Sequence, residues 1–573
     1  MPTLRKALLP GLAVFACACA FVVQSPGWAQ TSYMALTRGL DHGTAQIDDW
    51  HWETHDIAWT GGHYYSVKPP GLVFATFPLY AALHAAGAER LAHDARVRGE
   101  GGGAALWAAR NPPIAYYGYD RHRAIAARNA IADDAPMTWA LGLFGVLLPA
   151  LVLLVLVARC AERVARGTGP AAALTLGTAT LVLPFSTLYF SHVLSAMLAF
   201  AAFSLAWGER GRADGQRPSR LALAGLLAGL AITCEYPLAI AALVVGLYVV
   251  ARRGPGLVRR GAVYAAGVVA GTLPLLAYQW WAFGSPLHLA YADAVATTGL
   301  TGHDTLGLND GGFFGITAPR LVDGLSLLVG GRGLLTLTPV LAIAVAGVVA
   351  MHRDGHRAEA RAIGGLALAF LLYDAGYWLP FGGGSPGARF LIPTLPFLAV
   401  GLGPAWRRWP APTLALAVVS ATTMVAATMS YPMIGVNDAG EWTRRIFEFG
   451  TYQHSILDLA GIAHGLPSIL PFVVLVALAL GLAVTTLGRD VARGARRVPA
   501  TVGAWAVGAI ALQRPADLPS GGALALIAGS AATALLTVAG TRWLAGRVPS
   551  AQHEPHHAAA ALTLEPQTAQ RQG

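Results

Sequence analysis

The chain alternates between long apolar runs and short polar connections along most of its length. Many of the runs are about 17 to 25 residues long, which is the length of an α-helix that crosses a bilayer core. The pattern predicts an all-α polytopic membrane protein with about fourteen transmembrane helices. The predicted spans are Ala7–Val23, Met137–Ala158, Pro170–Phe190, Val193–Trp207, Leu221–Cys234, Pro237–Val250, Val263–Phe283, Leu334–Ala350, Ile363–Leu379, Phe390–Gly403, Pro412–Met429, Ser468–Thr486, Val502–Leu512 and Ala523–Ala539.

The apolar run Leu72–Ala86 is predicted to lie on the outer surface, because at about fifteen residues it is short for a span. The connections carry arginine clusters, and such clusters mark the cytoplasmic side of a membrane protein. If Leu72–Ala86 crossed the membrane, every later cluster would lie outside. If it lies in the interface, all of them fall inside, and both termini are cytoplasmic.

This topology divides the chain into five parts: a first transmembrane helix, an outer juxtamembrane loop with interfacial helices, a transmembrane core, a C-terminal transmembrane pair and a polar cytoplasmic tail. Their bounds are 1–23, 24–136, 137–487, 488–548 and 549–573. The core carries outer loops at 284–332 and 431–466. The tail is expected to be disordered. A cleaved signal peptide ending near Gly27 is the alternative to an uncleaved first helix, which agrees better with the later topology.

Composition supports the membrane class and excludes several others. The chain of 573 residues is 55% hydrophobic and 12% charged, whereas soluble domains are about a quarter charged. The net charge of +10 comes from arginines in the connections, so it needs no nucleic-acid partner. The four cysteines lie in or beside apolar runs, with no disulfide or metal spacing. No glycine-rich phosphate loop follows a predicted strand, which excludes a nucleotide-binding domain.

The polar chemistry concentrates between Ile47 and Tyr80 in the first outer loop. Four carboxylates lie there: Asp48, Asp49, Glu53 and Asp56. Low dielectric near a membrane can raise a carboxylate pKa toward that of a general base. A solvated acidic loop is the alternative. The aromatic residues can anchor the loop in the headgroup layer or stack on a sugar ring. They are Trp50, Trp52, Trp59, Tyr64 and Tyr65, with His63 beside the last two.

Two cations are candidates for binding a phosphate. Lys68 directly precedes Pro69-Pro70 and the interfacial helix, where free backbone N–H groups favour an anion. Non-specific contact with lipid phosphate is the alternative. Arg389 follows a Gly-Gly-Gly-Ser-Pro-Gly-Ala turn, and successive glycine N–H groups with a guanidinium can cradle an anion. The alternative role of the glycines is a tight turn. Asp374 and Tyr377 are expected to orient Arg389.

Two further polar residues lie at predicted outer helix ends. His192 and Glu235 are expected to face a cavity or one another, as polar side chains at membrane depth usually do. A purely structural role is the alternative. Residues of the second outer loop carry a weaker indication that they cover a site: His303, Asp304, Asp310, Arg320 and Arg332.

The segment Gly62-His63-Tyr64-Tyr65-Ser66-Val67-Lys68-Pro69-Pro70 resembles the YxxKPP segment of polytopic GT-C-fold glycosyltransferases, as found in protein O-mannosyltransferases and lipid A aminoarabinose transferases. The layout of residues 5 to 410 is also similar. The resemblance implies transfer of a sugar, with inversion, from a polyprenyl-phosphate donor, with a loop aspartate as base. Those families carry an Asp-Glu pair after the first span, where this chain has Gln30-Thr31-Ser32. Either the base has moved to Asp48, Asp49 or Asp56, or the activity is lost or changed.

The sequence therefore predicts a glycosyltransferase of a bacterial cytoplasmic membrane, acting on its outer face. Asp56 is the first candidate for the base and Asp48 the second, because the Gly61-Gly62 turn can fold Asp56 back over Lys68. Asp49 and Glu53 are expected to face solvent. The acceptor is a glycan, lipid or protein. No cofactor is required, and a divalent metal is compatible with the sequence but not indicated by it. The alternative function is a transporter or flippase of an amphiphilic lipid or lipid-linked sugar.

Overall fold

The computed structural model describes residues 2–100, 121–210, 217–251, 256–294, 312–433, 437–485, 487, 491, 494–512 and 520–547. These residues form a helical bundle with two small two-stranded sheets. The helices before the first long polar connection are Pro2–Phe21, Trp28–Asp41, Gly71–Ala85 and Ala88–Glu100. The helices of the central part are Arg121–Gly142, Leu148–Val164, Gly169–Thr178, Val182–Phe185, Ser191–Arg210, Pro218–Cys234, Ala239–Val250 and Leu257–Phe283.

The second half of the chain continues the bundle. Its helices are Leu321–Val329, Leu334–Leu337, Val340–Arg353, Arg357–Ala375, Leu395–Ala399, Leu402–Arg408, Pro410–Met429, Ala439–Thr443, Ile456–Leu459, Leu466–Thr485, Val498–Ala511 and Gly521–Arg547. Short 3₁₀ segments are His51–Glu53, Tyr236–Leu238, Ala290–Asp293, Arg389–Thr394 and Ala495–Arg497, and π-helical turns are Leu143–Leu147 and Arg444–Glu448. The strands are Val22–Val23, Ile57–Thr60, His63–Ser66 and His454–Ser455.

The prediction of an all-α polytopic membrane protein is confirmed. Among the described residues, six helices are long and apolar enough to cross a bilayer, or up to eight if each of two bent pairs is counted as one span. The six are Ala132–Val164, Ser191–Arg210, Leu257–Phe283, Pro410–Met429, Leu466–Thr485 and Gly521–Trp543. Four apolar helices are shorter than a span. The count of about fourteen spans is not confirmed, because several predicted spans are broken or short.

Three predicted spans are wrong as continuous helices. The run Leu334–Ala350 divides into Leu334–Leu337 and a helix that begins at Val340. The run Pro170–Phe190 divides into Gly169–Thr178 and Val182–Phe185, and nearly every residue in it is buried. The run Phe390–Gly403 begins as a 3₁₀ segment and continues through short helices. Backbone breaks at membrane depth are tolerated where protein surrounds them. An apolar run in the sequence does not distinguish such a buried broken segment from a straight span.

The interfacial helix is followed by a sharp bend. Gly71–Ala85 and Ala88–Arg98 meet at 85°, and Gly87 with a φ of 71° lies between them. Because of this turn, the charged helix Ala88–Arg98 does not continue the axis of the apolar helix Gly71–Ala85. The predicted location of Leu72–Ala86 on the outer surface stays a prediction, as do the cytoplasmic termini. The tail 549–573 lies outside the described residues.

Two segments that are distant in the sequence meet in a small antiparallel sheet. Val22 pairs with Ser455, and Val23 pairs with His454. Gln24, the next residue, adds a contact to the later part of the chain: its side-chain amide donates to the carbonyl oxygen of Thr428 at 3.1 Å. The start of the first outer loop is therefore fixed by residues more than 400 positions later in the chain.

Candidate active site

The predicted outer loop contains a short β-hairpin that returns the chain to its starting point. Strands Ile57–Thr60 and His63–Ser66 pair antiparallel over their whole length. Gly61 and Gly62 make the turn with φ values of 59° and 86°, a left-handed region that glycine enters without steric cost. The residues that flank the strands consequently meet at the open end of the hairpin.

Asp56 and Lys68 form a buried ion pair at this open end. Asp56 Oδ2 lies 2.8 Å from Lys68 Nζ, and the two side chains are 12% and 8% exposed. The Ser32 hydroxyl donates to the Asp56 carbonyl oxygen at 2.7 Å and lies 2.7 Å from the Ser66 hydroxyl. The structure thus places the candidate base in contact with the candidate phosphate ligand. Lys68 is a partly neutralised cation rather than a free one.

A close approach at Gly71 places the hairpin end beside the helix Pro218–Cys234. A Cβ at Gly71 would lie 2.7 Å from both the Cys234 Sγ and the Thr233 carbonyl oxygen. Atoms cannot approach so closely without displacement, so glycine is required for this packing. Because Glu235 directly follows Cys234, Lys68 and Glu235 enter the same region from two parts of the chain.

His192 and Glu235 contact one another, as the sequence suggested for two polar groups at membrane depth. His192 Nδ1 lies 2.5 Å from Glu235 Oε1, although the two groups are too poorly aligned for a good hydrogen bond. The same oxygen accepts from the Ser191 hydroxyl at 2.7 Å, which lies 2.8 Å from the Tyr33 hydroxyl. The His192 ring stacks on Phe190 at 4.4 Å. Its Nε2 is buried without a hydrogen-bond partner among the described residues.

Arg389 is held by aromatic rings and a glycine turn. Its guanidinium carbon lies 5.0 Å from the Phe190 ring and 5.1 Å from the Phe390 ring. A Cβ at Gly382 would lie 2.2 Å from Arg389 Nε, so the side chain passes directly over the backbone there. Gly382 and Gly383 have φ values of 68° and 81°. Arg389 Nε is buried and, within the described chain, makes no hydrogen bond.

Asp374 is a buried carboxylate with no partner in the described part of the chain. It is fully buried, and neither carboxylate oxygen accepts a hydrogen bond. Arg389 is near enough to act on it electrostatically but does not contact it. The expected orienting bond from Asp374 to Arg389 is therefore not formed. Buried polar groups normally have hydrogen-bond partners, so Asp374 is a candidate for contact with a ligand.

The two predicted cations lie near the same side chains. Lys68 and Arg389 both act electrostatically on His192 and on Tyr377. Tyr291, from the second outer loop, lies among the same groups. Burial raises the pKa of the Tyr291 phenol, nearby Asp56 raises it further, and Arg389 opposes the shift. The site therefore combines cations, carboxylates and phenols from four separate parts of the chain.

The second candidate base belongs to the other end of the hairpin. Asp48 Oδ2 lies 2.7 Å from His63 Nδ1, and Asp48 Oδ1 accepts from the Tyr64 backbone N–H at 2.7 Å. Along a strand of about 3.3 Å per residue, Tyr64 is roughly 13 Å from Lys68. Asp48 and His63 therefore hold the turn end of the hairpin, and the structure does not bring them to the ion pair.

The other loop residues have structural surroundings. Asp49 is exposed, as expected. Tyr65 is buried against Phe283, with ring centroids 4.8 Å apart. The expectation that Glu53 faces solvent is wrong, because it is buried and its Oε2 accepts from Arg38 at 2.8 Å. Helices before and after the hairpin supply this burial, and the sequence pattern of the loop alone does not show it.

For some residues near the site, the sequence gives no clear indication of a functional role. Tyr33 and Ser191 complete the contacts of Glu235 and are ordinary apolar-face residues in the sequence. Arg332 was only a weak candidate, yet it braces the glycine turn by donating to the carbonyl oxygens of Gly383 and Ser385 at 2.7 and 3.1 Å. Burial lowers the pKa of Arg332, Asp438 opposes this shift, and Arg389 adds to it.

The remaining candidates of the second outer loop do not extend the site. His303, Asp304 and Asp310 lie outside the described residues. Arg320 is exposed and pairs with Asp323 near the surface. Within the described ranges, no group of three or more His, Cys, Asp or Glu side chains is arranged to hold a metal ion.

No protein-family model matches the chain, and no curated protein matches it. Among solved structures, ArnT from Cupriavidus metallidurans in the apo state is 15% identical and covers 87% of this chain and 79% of its own, with a TM-score of 0.40. The same protein bound to undecaprenyl phosphate is 14% identical and covers 94% of this chain and 88% of its own, also with a TM-score of 0.40.

Proposed function

We propose that this protein is a membrane glycosyltransferase that moves a sugar from a polyprenyl-phosphate donor to an acceptor on the outer face of the membrane. The observation that carries the proposal is the gathering of Lys68, Arg389 and Asp56 in one buried site with unpartnered polar atoms. A phosphate needs the cations, and proton removal needs the carboxylate. The bundle supplies apolar surface for the polyprenyl chain.

The donor phosphate binds between the two cations. The Lys68 ammonium has three N–H donors, and only one is needed for Asp56, so it can bind a phosphate oxygen as well. Arg389 contributes its guanidinium, whose Nε has no partner among the described residues. The left-handed glycines beside it, Gly382 and Gly383, shape the turn over which the guanidinium lies. Charged hydrogen bonds from both sides hold the phosphate as it becomes a leaving group.

Asp56 acts as the general base in this proposal. The acceptor hydroxyl oxygen bonds to the anomeric carbon while the bond from that carbon to the phosphate oxygen breaks. The hydroxyl proton passes to the Asp56 carboxylate, and the polyprenyl phosphate leaves with the bonding electron pair. The charge that develops on the phosphate oxygen is stabilised by Lys68 and Arg389. No metal is required for this balance of atoms and charge.

Three other side chains position the sugar and the cations. Asp374 offers two unpartnered carboxylate oxygens, which can accept hydrogen bonds from sugar hydroxyls. His192 Nε2 is likewise free to bind within the described surroundings. Glu235 holds the His192 ring in place through their 2.5 Å contact. These residues contribute to binding rather than to proton transfer.

The experiment compares Arg389→Ala and Asp56→Asn in protein reconstituted in nanodiscs. Binding of undecaprenyl phosphate and transfer from labelled polyprenyl-phosphate sugars are measured separately. Arg389→Ala should weaken binding by about ten- to a hundredfold, since it removes a charged hydrogen bond. Asp56→Asn should bind the phosphate as tightly or more tightly, because Lys68 loses its competing partner. It should transfer sugar about 10²- to 10⁴-fold more slowly.

Arg444→Ala and Asp94→Asn are the matched controls, because both remove an exposed charge from an outer segment away from the site. Both should behave as the parent protein. Parental transfer by Asp56→Asn would remove this residue as the base. A protein that moves the lipid phosphate across the bilayer but transfers no sugar would contradict the glycosyltransferase proposal and support the flippase.

A further inference from the structure

A second polar cavity lies at the opposite end of the bundle from the candidate active site. It has a volume of about 510 Å³. The helix Ser191–Arg210 connects the two places, since it begins beside His192 and its last residue lines the cavity. Its 20 residues span about 30 Å, the thickness of the hydrocarbon core. The cavity is therefore at the depth of lipid headgroups on the other membrane surface.

One side of the cavity is positively charged. Arg163 is exposed, and its guanidinium carbon lies 5.7 Å from the Trp207 ring. Arg210 lies over the Tyr248 ring at 4.8 Å, and its guanidinium donates to the carbonyl oxygens of Tyr248 and Ala251 at 2.8 and 3.3 Å. These contacts fix Arg210 in place but neutralise neither arginine. Both retain N–H groups for an anion.

The other side of the cavity carries a buried carboxylate. Glu359 is 8% exposed, and its Oε1 accepts from the Tyr248 hydroxyl at 2.6 Å. This single neutral donor does not balance a buried negative charge, which normally needs a cation. Tyr248 lies between Arg210 and Glu359: the Arg210 guanidinium lies over its ring, and its hydroxyl donates to Glu359. In the described chain, neither Arg163 nor Arg210 forms an ion pair with Glu359.

A cavity that keeps opposite charges apart fits a ligand that carries both signs. We propose that it binds the phosphoethanolamine headgroup of a membrane phospholipid, with the phosphate on Arg163 and Arg210 and the ammonium on Glu359. The guanidinium groups match phosphate oxygens, and a primary ammonium supplies donors to a carboxylate. Trp207 provides the amphipathic ring that is typical of the membrane interface. An anionic lipid without an amine satisfies only the arginines.

The test uses the full-length protein in detergent after delipidation, with added short-chain phosphatidylethanolamine or phosphatidylglycerol. Bound lipid is counted by native mass spectrometry across a concentration series. The parent should bind phosphatidylethanolamine about tenfold or more tightly than phosphatidylglycerol, as expected for one additional charged hydrogen bond. Glu359→Gln keeps an acceptor for Tyr248 and should abolish that preference. Arg163→Ala should weaken binding of both lipids.

Arg166→Ala is the control for arginine removal, because Arg166 is exposed close to Arg163 but does not line the cavity. It should bind both lipids as the parent does. Equal binding of the two lipids by the parent would overturn the proposal, as would an undiminished preference in Glu359→Gln. A loss in Arg166→Ala equal to that in Arg163→Ala would show general attraction to a basic surface and would also overturn it.

Discussion

At the scale of single residues, the position of the Arg389 side chain depends on glycine at position 382. The guanidinium passes over Gly382, where a Cβ would lie 2.2 Å from Nε. The neighbouring Gly383 shares the left-handed backbone, but the nearest atom to its Cβ would be 3.8 Å away, on Leu379. Both glycines are needed for the left-handed turn, but only Gly382 is needed for the position of the Arg389 guanidinium. Substitutions at the two positions therefore distinguish the turn from the contact.

We predict that Gly382→Ala weakens binding of undecaprenyl phosphate by about tenfold, as loss of one charged hydrogen bond does. The displaced guanidinium no longer reaches the phosphate. Gly383→Ala is the control, because each alanine carries a similar left-handed backbone cost of about 1–2 kcal/mol. Thermal stability should therefore fall to a similar extent in both variants, and lipid binding only in the first. Equal binding losses would show that the turn, and not the contact, is what matters.

The meeting of Asp56 and Lys68 could be predicted because a Gly-Gly turn midway between them specifies a hairpin. The burial of Glu53 could not, since its partners come from helices before and after the loop. The missing bond between Asp374 and Arg389 could not be predicted either. Helical spacing shows which residues share a face, but it does not show whether two side chains across a turn are within hydrogen-bond distance.

At the scale of elements, one arginine lies between two acids from different parts of the first predicted outer loop. Arg38, on the helix Trp28–Asp41, donates to Glu53 at 2.8 Å and also bonds to Asp134 on the helix Arg121–Gly142. Burial raises the pKa of Glu53 to about 7, nearby Asp134 adds to the shift, and Arg38 opposes it. One positive charge thus has to balance two carboxylates whenever both are ionised.

We predict that stability decreases as the pH rises from about 5 to 8. The folded Glu53 carboxyl keeps its proton up to about pH 7, whereas the unfolded one loses it near 4.5. The folded state therefore binds more protons in this window, and that stabilisation is lost as the pH rises. Glu53→Gln should remove this part of the pH dependence, which is on the order of 1–3 kcal/mol.

Melting temperatures of the parent protein and Glu53→Gln, measured in detergent between pH 5 and pH 8, test this expectation. The two should be similar at pH 5, and Glu53→Gln should be the more stable at pH 8. Asp94→Asn controls for the loss of any acidic group from an outer helix. Parallel pH curves for the parent and Glu53→Gln would contradict the assignment of the proton to Glu53.

The sequence predicts long, uninterrupted transmembrane helices, but it does not show where an apolar run is broken into shorter helices. Pro412–Met429 and Val263–Phe283 were predicted within a few residues of the observed helices, because an uninterrupted apolar run of this length has few other folds in a bilayer. The run Pro170–Phe190 is equally apolar but is enclosed by other helices. Its breaks are compensated by protein contacts that hydropathy does not record.

At the scale of the whole molecule, the two proposed sites are expected on opposite membrane surfaces. Trp59 is 43% exposed on the hairpin, and Arg163 is exposed beside the headgroup cavity. The positive-inside pattern assigns the hairpin to the outside and Arg163 to the cytoplasm. The placement of the interfacial helix and of the cytoplasmic termini depends on the same assignment.

We predict that a cysteine at Trp59 reacts with a membrane-impermeant thiol reagent in intact cells, and that one at Arg163 reacts only after the membrane is opened. The background protein lacks its four native cysteines. Each variant carries one substitution, Trp59→Cys or Arg163→Cys, so that each serves as the control for the other. Labelling of both positions from the same side would show that the connecting spans are miscounted, and the reverse pattern would invert the topology.

The pairing of Val22–Val23 with His454–Ser455 has a consequence for how the protein is made. The ribosome synthesises Val22–Val23 long before His454–Ser455. The strand that leads into the hairpin therefore has no partner until most of the polypeptide has been made. Contacts so distant in sequence are slow to close and come late in folding. The candidate active site should therefore be among the last parts to mature during biogenesis. A chain stopped before residue 454 would be inserted with its helices formed and that region still open to quality-control proteases.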